Sequence, residues 1–108
     1  MHNVGHEYTR RIDRVIDYLR DHLDKPLRLE ELAKVACFSE FHFHRIFRAV
    51  SGETLNNFTN RLRVEKAARL LRYSEKSLTD IALDCGFSSS ATFSRAFRSG
   101  YGTSPSEF

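Results

Sequence analysis

His42 and His44 stand two residues apart in the stretch FHFHRIF, Phe41 to Phe47. On a β-strand, side chains alternate between faces, so both imidazoles would share one side, as a metal ion requires. On an α-helix, residues two apart diverge by ~200°, and the pair cannot hold one ion. The same stretch opens a second chemistry. Arg45 and Arg48 follow at i and i+3, and Arg95 and Arg98 repeat that spacing further on. Arginine's forked donors match guanine edges and phosphate oxygens. Which chemistry applies depends on the element that carries these residues.

Helical periodicity dominates the chain. Tyr8, Ile12, Val15, Ile16, Leu19 and Leu23 recur at three and four, which predicts a first helix over residues 7–23. Asp24-Lys25-Pro26 ends it, and Leu29, Leu32, Ala33 and Ala36 mark a short second helix. Ser39 caps a third, running to Val50 with Phe43, Ile46, Phe47 and Val50 inward, and Gly52 closes it. Thr54 caps a long fourth over 55–72, with Leu55, Phe58, Leu62, Ala67, Leu70 and Leu71 inward. Ser77 with Asp80 forms a capping box for a fifth over 78–84. Gly86-Phe87-Ser88 is a turn, and a sixth helix runs over 89–100 before Gly100, Gly102 and Pro105 break the pattern. No strand pattern is seen, so the class is all-α. The histidines then part company: His44 faces outward and His42 sits at the border. His2 and His6 are assigned to a mobile tail, and no metal site and no cofactor are expected.

The chain carries a partial copy of itself. At an offset of 49, Leu29 matches Leu78, Ala33 matches Ala82, Phe38 matches Phe87 and Ser39 matches Ser88. After one inserted residue the offset is 50: Phe43 matches Phe93, Arg45 Arg95, Phe47 Phe97, Arg48 Arg98, Gly52 Gly102 and Phe58 Phe108. Each unit reads as short helix, tight turn, longer helix, the helix-turn-helix layout. Within each longer helix the faces separate at ~100° per residue. Phe41, His44, Arg45 and Arg48 share the outer side of one; Ala91, Ser94, Arg95 and Arg98 share that of the other. A single such arginine is ordinary solvated surface. Recurrence in register on both helices points to double-stranded DNA.

Charge agrees in distribution more than in amount. The formal net charge is only +3 over 108 residues. Residues 41–73 hold Arg45, Arg48, Arg61, Arg63, Lys66, Arg69 and Arg72 against Glu53 and Glu65, a concentration suited to phosphate. No apolar run approaches the ~20 residues of a membrane span, and no apolar segment after the N-terminal charges suggests a signal peptide. Cys37 and Cys85 form no CxxC motif and read as reduced thiols of a cytoplasmic protein. Neither a nucleophile motif, a phosphate-cradling glycine loop nor a paired-carboxylate pocket is visible, which argues against an enzyme. The rival that remains is a helical protein-interaction module. It separates from a DNA binder by the salt dependence of a gel shift.

The segments LRLEELAKVACFSEFHFHRIFRAVSGET, FTNRLRVEKAARLL and DIALDCGFSSSATFSRAFRSGYGTSP resemble the DNA-binding domain of AraC/XylS-type bacterial transcription regulators. The resemblance covers residues 7–108. It implies a first helix-turn-helix subdomain over 7–52, a linker helix over 55–72 and a second subdomain over 73–108. Two recognition helices, 40–50 and 89–99, would enter adjacent major grooves of promoter DNA, and RNA polymerase would be contacted in activation. Carried over by position, Phe41, His44 and Arg45 face bases from the first recognition helix, and Ser90, Ala91, Thr92 and Arg95 from the second. Ser39, Arg48, Thr54, Arg61, Arg63 and Arg98 fall at backbone-contacting positions, with Arg61 and Arg63 open to pairing with acidic neighbours instead.

Three departures from the pattern matter. Cys37 stands where the second copy has Gly86, at a steric cost if the turn needs a positive φ. Arg28 replaces the capping Ser77, and Ala91 offers a methyl group that meets a thymine methyl but no polar base edge. A small-molecule effector would act only through a further domain, which would follow residue 108 as in members with a C-terminal effector-binding domain; the resemblance fits single-domain members, regulated by abundance, as well. A last short helix is likewise expected beyond that point.

Overall fold

The computed structural model describes residues 4–108. Six helices follow in order: α1 (Val4–Asp21), α2 (Leu29–Ala36), α3 (Glu40–Ser51), α4 (Leu55–Tyr73), α5 (Leu78–Asp84) and α6 (Ser90–Tyr101). The all-α class holds. Two compact units divide the chain: Met1–His22 with Leu27–Phe58, and Leu23–Pro26 with Thr59–Phe108.

In the first unit, Ile12, Val15 and Leu19 bury the inner stripe of α1 completely, as their spacing dictates. Leu32, Ala33 and Ala36 of α2 and Phe43 and Phe47 of α3 complete the core. Phe58, in the first turn of α4, sets its ring edge-on to Phe47 at 5.4 Å. In the second unit Val64, Ala67, Ala68, Ile81, Ala82, Cys85, Phe87, Phe93 and Phe97 form one cluster, with Leu70, Leu71 and Ala96 packed against it. There Phe97 takes Phe108 edge-on at 5.2 Å, the same arrangement as Phe47 and Phe58.

The repeat is as exact in backbone hydrogen bonding as in sequence. Cys37 N–H donates to Lys34 O and Phe38 N–H to Ala33 O; Gly86 donates to Leu83 O and Phe87 to Ala82 O. This doubled pattern ends α2 and α5 with a left-handed residue. Cys37 has φ 59° and Gly86 φ 86°, and Cys37 is the one non-glycine residue at positive φ among those described. The two longer helices, α3 and α6, also begin and end alike. Ser39 Oγ accepts from His42 N–H, and Ser89 Oγ accepts from Thr92 N–H. Gly52 and Gly102, at φ 80° and 74°, donate to Arg48 O and Arg98 O.

Several expectations need correction. The first helix starts earlier and ends earlier than 7–23, so His6 lies in α1 rather than in a tail, while His2 falls outside the described residues. Val50 is 37% exposed. It sits in the last turn of α3. The capping partner of Ser39 is Ser89, not Ser88, because the inserted residue precedes the cap. Leu29 and Leu78 mark their helices correctly, yet both stand near 40% exposed at the first helical position, 38% and 40%.

Candidate nucleic-acid interface

Two outward faces arise from this scaffold. On α3, core burial of Phe43 and Phe47 turns Phe41, His44, Arg45 and Arg48 to solvent. Phe41 is 74% exposed and rests its ring edge on His42 at 5.7 Å. A large aromatic ring left in water at the start of a helix needs an explanation other than packing. On α6, burial of Phe93 and Phe97 likewise exposes Ser90, Ala91, Ser94, Arg95 and Arg98. No hydrogen bond or ion pair among the described residues engages the side chains of Arg45, Arg48, Arg95 or Arg98. Four guanidinium groups without protein partners, paired at i and i+3 on two equivalent helices, are donors available to an external acceptor.

Other expected contacts are placed differently. Thr92 is half-buried, and its hydroxyl lies 2.9 Å from Ser89 Oγ, inside the cap of α6. Ser39 remains exposed at the cap of α3, and Thr54 Oγ1 accepts from Asn57 N–H at 3.2 Å at the start of α4. Arg61 pairs with Glu65 at 3.2 Å. Arg63 turns inward: its Nε donates to Leu23 O at 3.2 Å and Nη2 to Lys25 O at 3.3 Å. Burial lowers the Arg63 pKa from its ordinary value, and the nearby Cys85 partly opposes that shift. A Cβ added to Gly86 would meet Leu23 O at 1.8 Å and Arg63 Nε at 3.0 Å, so only glycine fits against this segment.

The basic stretch 41–73 is thus not one footprint. Lys66 Nζ donates to Asp84 O at 2.9 Å, satisfying a carbonyl at the end of α5. Arg72 lies over the Phe108 ring at 5.6 Å. Arg45 and Arg48 of α3 are separated from this set by role: no hydrogen bond or ion pair among the described residues engages their side chains. Sequence reasoning left exposed Glu40 without a part in the interface and set exposed Ser94 on the outer face without assigning it a contact. The register that aligns Ser39 with Ser89 was the signal, since it pairs Glu40 with Ser90 and His44 with Ser94. Among the described residues, no group of three or more His, Cys, Asp or Glu side chains is placed to hold a metal ion. No helix among them is long and apolar enough to cross a membrane. Both cysteines are free, Cys37 exposed and Cys85 buried.

A helix-turn-helix family model matches residues 32–108. The regulatory protein SoxS of Salmonella typhimurium is 36% identical over 97 residues, spanning 90% of this chain and 91% of SoxS. The chain belongs to the AraC/XylS-type regulators. As an AraC/XylS-type regulator it is a sequence-specific DNA-binding protein of transcription control, and not an enzyme. The transcriptional activator RhaS of Escherichia fergusonii is 39% identical over 97 residues, although the match spans only 35% of RhaS. The DNA-binding domain of the global transcriptional factor AdpA, solved with a target DNA, superposes with a TM-score of 0.83 at 32% identity, over 89% of this chain and 86% of that one. An AraC-type regulator from Chromobacterium violaceum superposes at 0.85 and 27% identity, over 97% and 92% of the two chains.

Proposed function

We propose that this AraC/XylS-type chain activates transcription by inserting α3 and α6 into adjacent major-groove segments of promoter DNA. The recurrence of unpartnered, exposed Arg45 and Arg48 as Arg95 and Arg98 carries the reading. Phe41, His44 and Arg45 read the first segment; Ser90, Ala91 and Arg95 read the second. Arg48, Arg98 and the amides behind Ser39 and Thr54 hold phosphates, since helix N-termini attract anions. Thr92 serves the cap of α6, Arg61 its pair with Glu65, and Arg63 the Leu23 and Lys25 carbonyls, so these three drop out of the contact set. Residues 7–52 and 73–108 act as the two DNA-engaging subdomains with 55–72 as linker. AdpA was solved with its target DNA and RhaS is a named activator, which supports both halves of the reading. The protein works in the cytoplasm, touches RNA polymerase once bound, and takes any effector signal through a domain outside these residues.

The test is a gel shift with promoter duplexes at rising salt. Neutralised phosphates release counterions, so affinity falls by orders of magnitude between about 50 and 200 mM salt. A protein that shifts no promoter duplex at low salt removes the proposal. Transcription in vitro with purified polymerase then decides activation against repression.

A further inference from the structure

Glu40 is the first residue of α3 and the one acidic residue in either recognition helix. It is exposed, and no ion pair among the described residues engages it. At ~100° per residue it lies about 40° around the helix from His44, inside the outer face. The register that superposes the two capping serines places it on Ser90. An acid in the first turn favours the helix dipole, but Ser39 Oγ already serves the His42 amide there. Against a polyanion, an unpaired carboxylate is unfavourable unless it meets a donor.

The major groove narrows what that donor is. Guanine shows acceptors at N7 and O6, and thymine shows an acceptor and a methyl group. Both repel a carboxylate. Adenine offers its N6 amine beside the N7 acceptor, whereas cytosine offers its N4 amine alone. We infer that Glu40 is a specificity-determining residue whose carboxylate accepts from a cytosine N4 amine at one position of the first groove segment and excludes guanine and thymine there. The inference rests on α3 being a recognition helix, as proposed above. It makes the two units chemically unequal: the first carries an acceptor, an imidazole and an aromatic ring where the second carries Ser90, Ser94 and Ala91.

Randomised duplex DNA, selected in parallel by the unchanged chain, Glu40→Gln, Glu40→Ala and Arg45→Ala, separates the outcomes. The unchanged chain is expected to favour cytosine at one position near the Arg45-dependent one by roughly 5- to 100-fold. Glu40→Ala levels that position. Glu40→Gln moves the preference toward adenine, whose N6 and N7 suit an amide. Circular dichroism confirms that each variant is folded. If both Glu40 variants bind every duplex more tightly by one common factor and keep the original preference, the carboxylate only repels phosphate and the inference fails, while an altered preference for Arg45→Ala leaves the recognition-helix reading standing. If the unchanged chain selects no base at all in that segment, the function proposed for α3 fails, and the role of Glu40 with it.

Discussion

Cys37 and Gly86 hold one backbone position in two turns, each at positive φ and each donating its N–H to the carbonyl three residues back. Only the side chains differ, and the left-handed region costs an L-residue roughly 1–2 kcal/mol. Cys37→Gly is therefore expected to stabilise the chain by about 0.5–1 kcal/mol, part of the relief being offset by the freer unfolded chain. Gly86→Ala is expected to destabilise it by roughly 2–4 kcal/mol, because its Cβ has no room beside Leu23 O. Urea unfolding of both variants checks the two signs together.

Arg63 and Arg48 make a contrasting pair on stability and binding. Arg63→Ala removes charged donors from the Leu23 and Lys25 carbonyls. A loss of about 1–3 kcal/mol in stability is expected, with DNA affinity per folded molecule nearly unchanged. Arg48→Ala should leave the melting temperature within a degree or two, weaken all duplexes alike and reduce the salt slope by about 1. Thermal melts beside gel shifts at several salt concentrations read both effects.

Arg45 and Arg48 divide the work of α3. Arg45→Ala is expected to cost ~1–3 kcal/mol on the preferred site and to relax the preference at one position, as for a bidentate contact to guanine. Competition titrations against specific and random duplexes measure the difference. Equal losses on both for the two variants would refute the division.

The thiol of Cys85 links stability to alkaline pH. Burial raises its pKa from 9.0 to about 11, against the lowering effect of Lys66. The folded state therefore keeps its proton more tightly than the unfolded state. The stabilisation is complete below the unfolded pKa and is lost as pH rises through the folded one, between about 9 and 11. Urea midpoints should fall faster over this window for the unchanged chain than for Cys85→Ala, although the variant starts lower because it leaves a cavity. Parallel pH slopes would show that the thiol does not contribute.

Periodicity and caps made most of the fold legible. Ser39 and Ser77 announced their helices, and the aromatic repeat paired Phe47 with Phe97 and Phe58 with Phe108, the residues that make equivalent ring contacts. Arg63 was not legible, because its acceptors are backbone carbonyls 38 and 40 residues away and no side-chain pattern encodes them. Arg11 shows what signal existed. Its guanidinium lies over Phe38 at 4.9 Å and donates to Cys37 O at 3.4 Å, so each supporting helix sets one arginine beside its own turn. That correspondence runs at a different offset from the rest of the repeat, which hid it. Thr92 has a second part in the cap of α6 that its type did not reveal, because a threonine three residues after a serine suits a cap as well as a reading face. The two arginine pairs were legible because no acceptor among the described residues competes for them.

Leu23–Pro26 lies among first-unit residues in the chain but belongs to the second unit, where its carbonyls hold Arg63 and crowd Gly86. Phe58, on the helix that supplies Val64 and Ala67 to the second core, belongs to the first. The two copies are thus laced through one another along the chain, and a gene cut at the repeat boundary would strip each half of a piece it needs. The repeat is legible in the sequence, yet neither unit is a contiguous run of the chain that one cut would free whole.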